Sequence, residues 1–318
     1  MDVFPDYLDV DYEDGDGEEP DDYPTLQDKV QKAVEVTRTA LEQYKNPAVM
    51  WTGGKDSTLT LYFINEVAEE YGYDKPTAVF IDHFQHFDAI HDFVDHWAET
   101  WDIDVVYARN DDVGNLADEP GEEISVDDLD ERNQAEVRDK LEYEDNTFPF
   151  LLDTYVGNHL LKTVALNDAI TEYDIDGIIS GVRWDEQEAR ADETFFSPRH
   201  DVEKYPPHDR VQPIVQFSER DVWDAFWHYV VPDSVEDFPD EGYVPEGKED
   251  LPNGLEHTDI PVSPKYWEGF RSLGSQVSTE KSDEDPAWLQ DLEGTVERAG
   301  RAQDKEDLMD RLRDLGYM

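Results

Sequence analysis

The sequence predicts an α/β fold, a doubly wound parallel sheet with an irregular C-terminal extension. Short apolar runs rich in Val and Ile alternate with stretches of helical periodicity, the pattern of strands buried on both faces by crossover helices. Two such runs end in glycine-bearing turns, at Gly53-Gly54 and at Gly181, and open parallel sheets bind ligands beyond the carboxyl ends of their strands. No repeat of fixed period competes with this reading.

Taken in order, residues 1–23 hold eleven acids among the first 22, with glycines and a proline, a composition that predicts a solvated, disordered arm. From Thr25, Leu26, Val30, Ala33, Val34, Leu41 and Tyr44 recur at helical spacing and stop before Asn46-Pro47, predicting a first helix. A strand from Ala48 to Trp51 follows, then a helix to about Tyr71, a strand over Thr77 to Ile81, a helix from about Asp88 to Trp101 and a strand over Asp104 to Ala108. Residues 110–146 are acidic with weak periodicity. Beyond them a helix is predicted near Tyr155 to Tyr173, and a strand over Gly177-Ile178-Ile179. The expected organisation is an arm over 1–23, a nucleotide-binding α/β domain over 24–232, and an extension over 233–318 that covers the site or meets a partner.

Asp and Glu number 80 against 26 Lys and Arg, a formal charge of -54, yet aromatics stay at 12% and apolar runs are well formed. A disordered acidic chain lacks such runs. In about 1 M salt the Debye length falls to about 3 Å and self-repulsion is largely screened, so adaptation to a salt-filled, halophile-like cytoplasm is expected. No basic stripe exists to neutralise nucleic-acid phosphates, and DNA is not an expected partner. A small anionic substrate must be met by a few local cations. With no cysteine, disulfides, thiolate metal sites, iron–sulfur ligation and cysteine nucleophiles are excluded. There is no apolar run of about 18 residues and no signal-like start, so a cytoplasmic protein away from membranes is expected.

Thr52-Gly53-Gly54-Lys55-Asp56-Ser57 sits where a strand hands over to a helix. Glycines let amides approach an anion, the helix N-terminus adds unpaired N–H groups and partial positive charge, and Lys55 and Ser57 add donors. The spacing is not that of a Walker loop. It resembles the Ser-Gly-Gly-x-Asp-Ser loop of the ATP pyrophosphatase (PP-loop) enzymes, with Thr52 in place of the first Ser. That resemblance implies an adenine nucleotide alpha hydrolase-like, Rossmann-like fold and a turn that holds the pyrophosphate end of ATP.

Gly181-Val182-Arg183-Trp184-Asp185-Glu186, followed by Arg190, is similar to the second motif of the sulfonucleotide-handling members, the phosphoadenosine phosphosulfate reductase family. An Arg fork at a strand end suits phosphate or sulfate, although Arg among so many acids also serves to neutralise carboxylates. Pro213-Ile214 and Ser218-Glu219-Arg220-Asp221-Val222-Trp223 resemble a further family segment, and Ser218 with Asp221 also reads as an N-cap pair. Asp82, in Asp82-His83-Phe84-Gln85-His86-Phe87-Asp88, loosely matches the family's Asp-Thr-Gly segment. His83, His86, His91 and His96 invite a zinc reading, but the i, i+5 spacing of the last three does not stack them on one face. Magnesium on the triphosphate, assisted by Asp56 or Asp82, is favoured.

Residues 260–279 resemble the segment of sulfonucleotide reductases that carries Cys-x-x-Cys, but Ser275 and Ser278 stand at both cysteine positions. Serine is barely ionised and binds iron poorly, so direct reduction is not the expected activity. The small catalytic subunit of the two-subunit sulfate adenylyltransferase shares an Arg-Thr-Leu-Gly-like stretch without needing cysteine, and its closing region resembles residues 297–306 and Gly316-Tyr317-Met318. The resemblance implies ATP-dependent adenylyl transfer to sulfate, with Lys55, Asp56, Arg183 and Arg190 in the chemistry. Thr52, Gly53, Gly54, Ser57, Asp82 and Gly181 would hold the nucleotide, Asp56 would meet Mg2+, and a GTPase large subunit would be the partner. Basic Arg298, Arg301 and Lys305 would face nucleotide or partner, or form ordinary helix charge pairs. Another PP-loop ligase, or a cysteine-free nucleotide-binding relative without turnover, remains open.

Overall fold

In the computed structural model, residues 8–187, 190–201, 205–236, 238–239, 242–252, 254–295 and 297 are described. A single six-stranded sheet of order β3-β2-β1-β6-β8-β7 organises the chain. Its strands are β1 (Pro47–Met50), β2 (Thr77–Ile81), β3 (Val105–Ala108), β6 (Gly177–Ile179), β7 (Phe196–Arg199) and β8 (His208–Val211). All pairings are parallel except β7 with β8, where Phe196 faces Val211 and Arg199 faces His208. The order turns back between β1 and β6, so the turns after these two strands lie side by side. This is the switch-point crevice of open α/β sheets.

The predicted helices are present: α1 (Leu26–Gln43), α2 (Lys55–Tyr71) and α3 (Asp88–Thr100), with β2 spanning the residues expected of it. Thr25 caps α1 in a reciprocal pair with Asp28, and Gly72 ends α2 with φ +75. Such a left-handed C-cap suits glycine. The predicted helix near Tyr155 is one helical run in which α6 (Tyr155–Asn158) widens to π-type bonding over His159–Val164 and tightens again as α7 (Ala165–Glu172).

Residues 110–146, weakly periodic in sequence, are an insertion of short elements: α4 (Asp111–Gly114), α5 (Glu131–Ala135), and β4 (Glu123–Ser125), which pairs antiparallel with β5 (Thr147–Pro149). They close over a core of their own that includes Val113, Ile124, Val137, Phe148 and Leu160. No element is long enough to display a period.

The acidic segment is a correction. Residues 8–23, expected as a solvated arm, lie on the main core through Leu8, Val10, Tyr12 and Tyr23. Tyr12 donates to Asp209 at 2.8 Å, Lys32 pairs with Asp14 at 2.9 Å, and the Phe195 amide donates to the Asp14 carbonyl at 3.0 Å. Interspersed aromatic and aliphatic residues supply contacts that the count of acids conceals. Residues 1–7 lie outside the described residues.

After β8, α8 (Glu219–Ala225) starts at the Ser218–Asp221 capping pair, as its sequence predicts, and α9 (Val231–Ser234) follows. The extension is not a separate unit. Ile260, Val262, Tyr266, Trp267, Ala287 and Trp288 are buried in the same core as the sheet, with α10 (Pro264–Trp267) packed near α3. Among the described residues no helix is long and apolar enough to cross a membrane.

Candidate anion-binding site

The turn after β1 takes its shape from its glycines and hydroxyls. Gly53 has φ +70, and a side chain there would meet Ile90 Cγ2 at 3.0 Å, so this residue is required both by conformation and by space. Ser57 Oγ donates to the Gly54 carbonyl at 3.0 Å and accepts from the Thr52 amide at 3.2 Å, holding the turn as a closed ring. Gly181, at the exit of β6, approaches so closely that a Cβ would lie 2.6 Å from the Asp56 carbonyl carbon and 2.8 Å from the Ser57 nitrogen. The two glycine turns predicted from sequence are thus in contact.

That contact delivers Arg183 to the first turn of α2. Its Nη1 pairs with Asp56 Oδ1, its Nε donates to Asp185 at 2.8 Å, and its Nη2 donates to Glu297 Oε2 at 2.7 Å. Lys55 reaches the same place, with Nζ 2.6 Å from Glu297 Oε1, 3.2 Å from Asp56 Oδ2 and 3.9 Å from Glu219 Oε1. Both cations are essentially buried, with side chains 1% exposed. Burial alone would lower the pKa of each, but Asp56 and Glu297 outweigh it and hold both above their ordinary values. Burial likewise works to raise Glu297, yet Lys55 and Arg183 hold it below the usual carboxylate range. Glu219 is pushed up by burial despite Lys55 and Arg271.

The loop does not open on a large cavity, as the sequence reading requires of it. Tyr266 places its hydroxyl 2.8 Å from the Lys55 amide and accepts its proton, and Glu297 covers the ammonium. Beside Gly53, Lys55, Trp223 and Tyr266 no room is left for even a water molecule, a cavity of about 0 Å³ against the ~300 Å³ at which small-molecule pockets begin. A roomier cleft of about 430 Å³ runs along β3 and α7, past Tyr107, Arg109 and Asp168, and none of the predicted site residues lines it.

The remaining candidates divide. Asp82 is buried at the end of β2, where it pairs with Arg109 at 2.8 Å and lies 3.8 Å from His91. Arg190 forms an ion pair with Glu186, four residues earlier on its own turn. His83 and His86 stack at 3.6 Å between centroids, and no group of His, Asp and Glu among the described residues is arranged to hold a metal ion. Asp56 has each carboxylate oxygen on a cation, so these donors fit no resident magnesium; the metal would have to arrive on a nucleotide. Ser275, at the first cysteine-like position, is buried and donates to Gln85 Oε1 at 3.3 Å, a supporting hydrogen bond. Arg298, Arg301 and Lys305 lie outside the described residues.

Sequence reasoning named the segments of Glu219, Tyr266, Arg271 and Glu297 without seeing what they do. Arg271 is buried against Glu219 at 2.6 Å and holds the carbonyls of Leu292 and Thr295 at 3.0 and 3.1 Å, so it fixes the stretch that leads to Glu297. The one hint of this in sequence is a cation among apolar and small residues, in Phe270-Arg271-Ser272-Leu273-Gly274, within an acidic chain.

Residues 46–234 match the phosphoadenosine phosphosulfate reductase domain. The chain belongs to that family. The family domain takes in both glycine turns and α8 but stops short of Tyr266, Arg271 and Glu297, the residues that cover the loop. Sulfate adenylyltransferase subunit 2 of Rhodospirillum rubrum is 25% identical over 321 residues, 90% of this chain and 97% of that protein. The subunit 2 proteins of Rhizobium sp. (strain BR816) and Brucella ovis are 25% and 26% identical over 211 residues, and the chain spans about 60% of their length. Among solved structures, a phosphoadenylyl-sulfate reductase from Candida auris in a phosphate complex aligns at 13% identity and TM-score 0.47, covering 80% of this chain and 96% of that one. A Candida glabrata FMN adenylyltransferase with FMN and an ATP analogue aligns at 16% identity and TM-score 0.47, covering 87% and 91%.

Proposed function

We propose that this chain transfers the adenylyl group of ATP to sulfate, giving adenylyl sulfate and pyrophosphate. The observation that carries the reading is the carboxylate of Glu297 shared between Lys55 at 2.6 Å and Arg183 at 2.7 Å, which marks a place where two buried cations grip two oxygens of one anion. The relatives named sulfate adenylyltransferase subunit 2 support the same chemistry. Thiol-based reduction, the other activity associated with the family's name, has no cysteine to run it.

In this reading a sulfate oxygen attacks the α-phosphorus in line, the bond to the bridging oxygen of the β-phosphate breaks, and pyrophosphate leaves with the electron pair. Lys55, Ser57 and the loop amides hold the departing diphosphate, while Arg183, locked by Asp56 and Asp185, offsets the charge that develops on it. No side chain becomes covalent. Magnesium, where used, belongs to the nucleotide. The designation of the relatives as subunit 2 supports a partner subunit, which we take to be the GTPase that the resemblance implies.

ATP–pyrophosphate exchange in molar potassium chloride, with and without sulfate, tests this on wild type, Lys55→Ala and Asp56→Ala, with the GTPase subunit supplied in parallel. Sulfate-dependent exchange that both substitutions abolish is expected. Exchange indifferent to sulfate removes this acceptor in favour of another PP-loop ligase, and ATP binding with no exchange under any condition leaves a non-catalytic nucleotide-binding protein.

A further inference from the structure

We propose that Glu297 is an internal competitor for the anion site: its carboxylate occupies the place of a ligand's oxyanion, and a phosphate-bearing ligand must expel it to bind. The proposal rests on the reading of the Gly53 turn as an anion site and adds a resident occupant to it.

The geometry is that of a bound ligand and not of an incidental ion pair. One carboxylate oxygen meets the Lys55 ammonium and the other meets the Arg183 guanidinium, the side chain is only 6% exposed, and the two cations come from the turns after β1 and β6. Both cations have other fixed partners, Asp56 for each of them and Asp185 for Arg183, so the pair stays in place without Glu297. Those partners keep the cations but use only part of their donors; the donors aimed at Glu297 are the ones left for an anion.

The residue is also presented deliberately. Arg271 donates to the carbonyls of Asp291, Leu292 and Thr295 and to the Thr295 hydroxyl, which pins the chain two residues before Glu297. Glu219 links this clamp to the loop, since it binds Arg271 at 2.6 Å and lies 3.9 Å from Lys55. Tyr266 closes the other side by accepting the Lys55 amide proton. The space left is too small for a nucleotide, so binding to the loop requires this cover to shift.

Electrostatics favours exchange over simple addition. Lys55, Arg183 and Arg271 are here matched against Asp56, Asp185, Glu219 and Glu297, and an incoming diphosphate added to that set would place more negative charge on an already negative cluster. Expelling Glu297 removes one carboxylate and frees two donors in a single event. By linkage, a site that is open only part of the time binds its ligand more weakly by that fraction, and the ligand in turn loosens the segment that competes with it.

Inorganic pyrophosphate is the probe, titrated calorimetrically into the full chain and its Glu297→Gln variant in molar potassium chloride, with hydrogen exchange of residues 291–297 followed in wild type. The expected results are binding at least ~10-fold tighter in E297Q, because the neutral amide competes poorly for two cations, and faster exchange of 291–297 when pyrophosphate binds wild type. Unchanged or weaker binding in E297Q overturns the proposal and leaves the anion site standing, with Glu297 then a supporting member of it. Unchanged or slower exchange of 291–297 overturns it too, and needs no variant to fold. Failure of pyrophosphate to bind either protein overturns this proposal and the reading of the loop together.

Discussion

Replacing Gly181 by Ala tests whether the two strand-end turns are fitted to one another. The residue is not in the left-handed region, so alanine's backbone preferences are satisfied and only space is at issue. A Cβ would lie 2.6 Å from the Asp56 carbonyl carbon, 2.7 Å from its oxygen and 2.8 Å from the Ser57 nitrogen, all backbone atoms that cannot rotate away. Reaching ordinary contact means a shift of about 0.8 Å between the β6 exit and the first turn of α2, and overpacking of this kind costs about 1–3 kcal/mol. Thermal melting should fall by roughly 1.5–4.5 °C in a chain of this size. The larger effect should be on the site, because a displacement near 1 Å of a positioning turn can cost about 100-fold in activity. Melting curves and pyrophosphate titration of Gly181→Ala measure the two losses separately. A variant that melts with wild type and binds pyrophosphate with wild-type affinity would refute the claim that the turns are in contact.

Gly72→Ala is the matched control: φ is +75 with nothing within 4 Å of an added Cβ, so it should cost about 1 kcal/mol in denaturant melts through backbone strain alone and leave pyrophosphate affinity unchanged from the far end of α2. Asp209 is buried and accepts from Tyr12 at 2.8 Å, Tyr44 at 2.7 Å and His200 at 2.7 Å; Asp209→Asn should cost about 2 kcal/mol and speed hydrogen exchange around Tyr12, and unaltered exchange there would contradict the docking of the acidic segment. His208 donates from Nδ1 to the Pro206 carbonyl while its buried Nε2 has no hydrogen-bond partner among the described residues, and burial, helped by Arg210 and Arg199, pushes its pKa down to about 3. Because the folded value lies below the unfolded 6.5, its contribution is complete above about pH 6.5 and is lost as pH falls toward about 3, at up to about 1.4 kcal/mol per unit. Urea melts of His208→Asn should show a flatter decline across that window, and an identical decline would dismiss this histidine as a source.

What the sequence discloses depends on how locally the structure is determined. Strands β1, β2 and β6 run through the middle of the sheet, where Val49, Val79 and Ile179 are buried, so continuous apolar runs announce them. The β7–β8 pair escapes notice for the opposite reasons. Pro198 is tolerated because β7 is an edge strand, and His208-Asp209-Arg210 reads as a polar loop because the phenols that satisfy Asp209 lie 165 and 197 residues away. The same distinction governs the site. The Gly53 turn is legible since its glycines, Lys55 and Ser57 act within a few residues, whereas the grip of Glu297 on Lys55 and Arg183 spans 242 and 114 residues and has no local signature. The acidic excess also misleads at residues 8–23, where a few aromatic contacts outweigh composition.

The claim on which the account depends is that the Gly53–Ser57 turn, with Lys55 and Arg183, holds a nucleotide by its diphosphate end. Equilibrium titration of ATP, inorganic pyrophosphate and AMP against wild type and Lys55→Ala measures this most directly. ATP and pyrophosphate should both bind wild type, AMP should bind far more weakly, and loss of Lys55 should weaken the first two while leaving AMP nearly unaffected. Equal affinity for AMP and ATP, insensitive to Lys55, would contradict it.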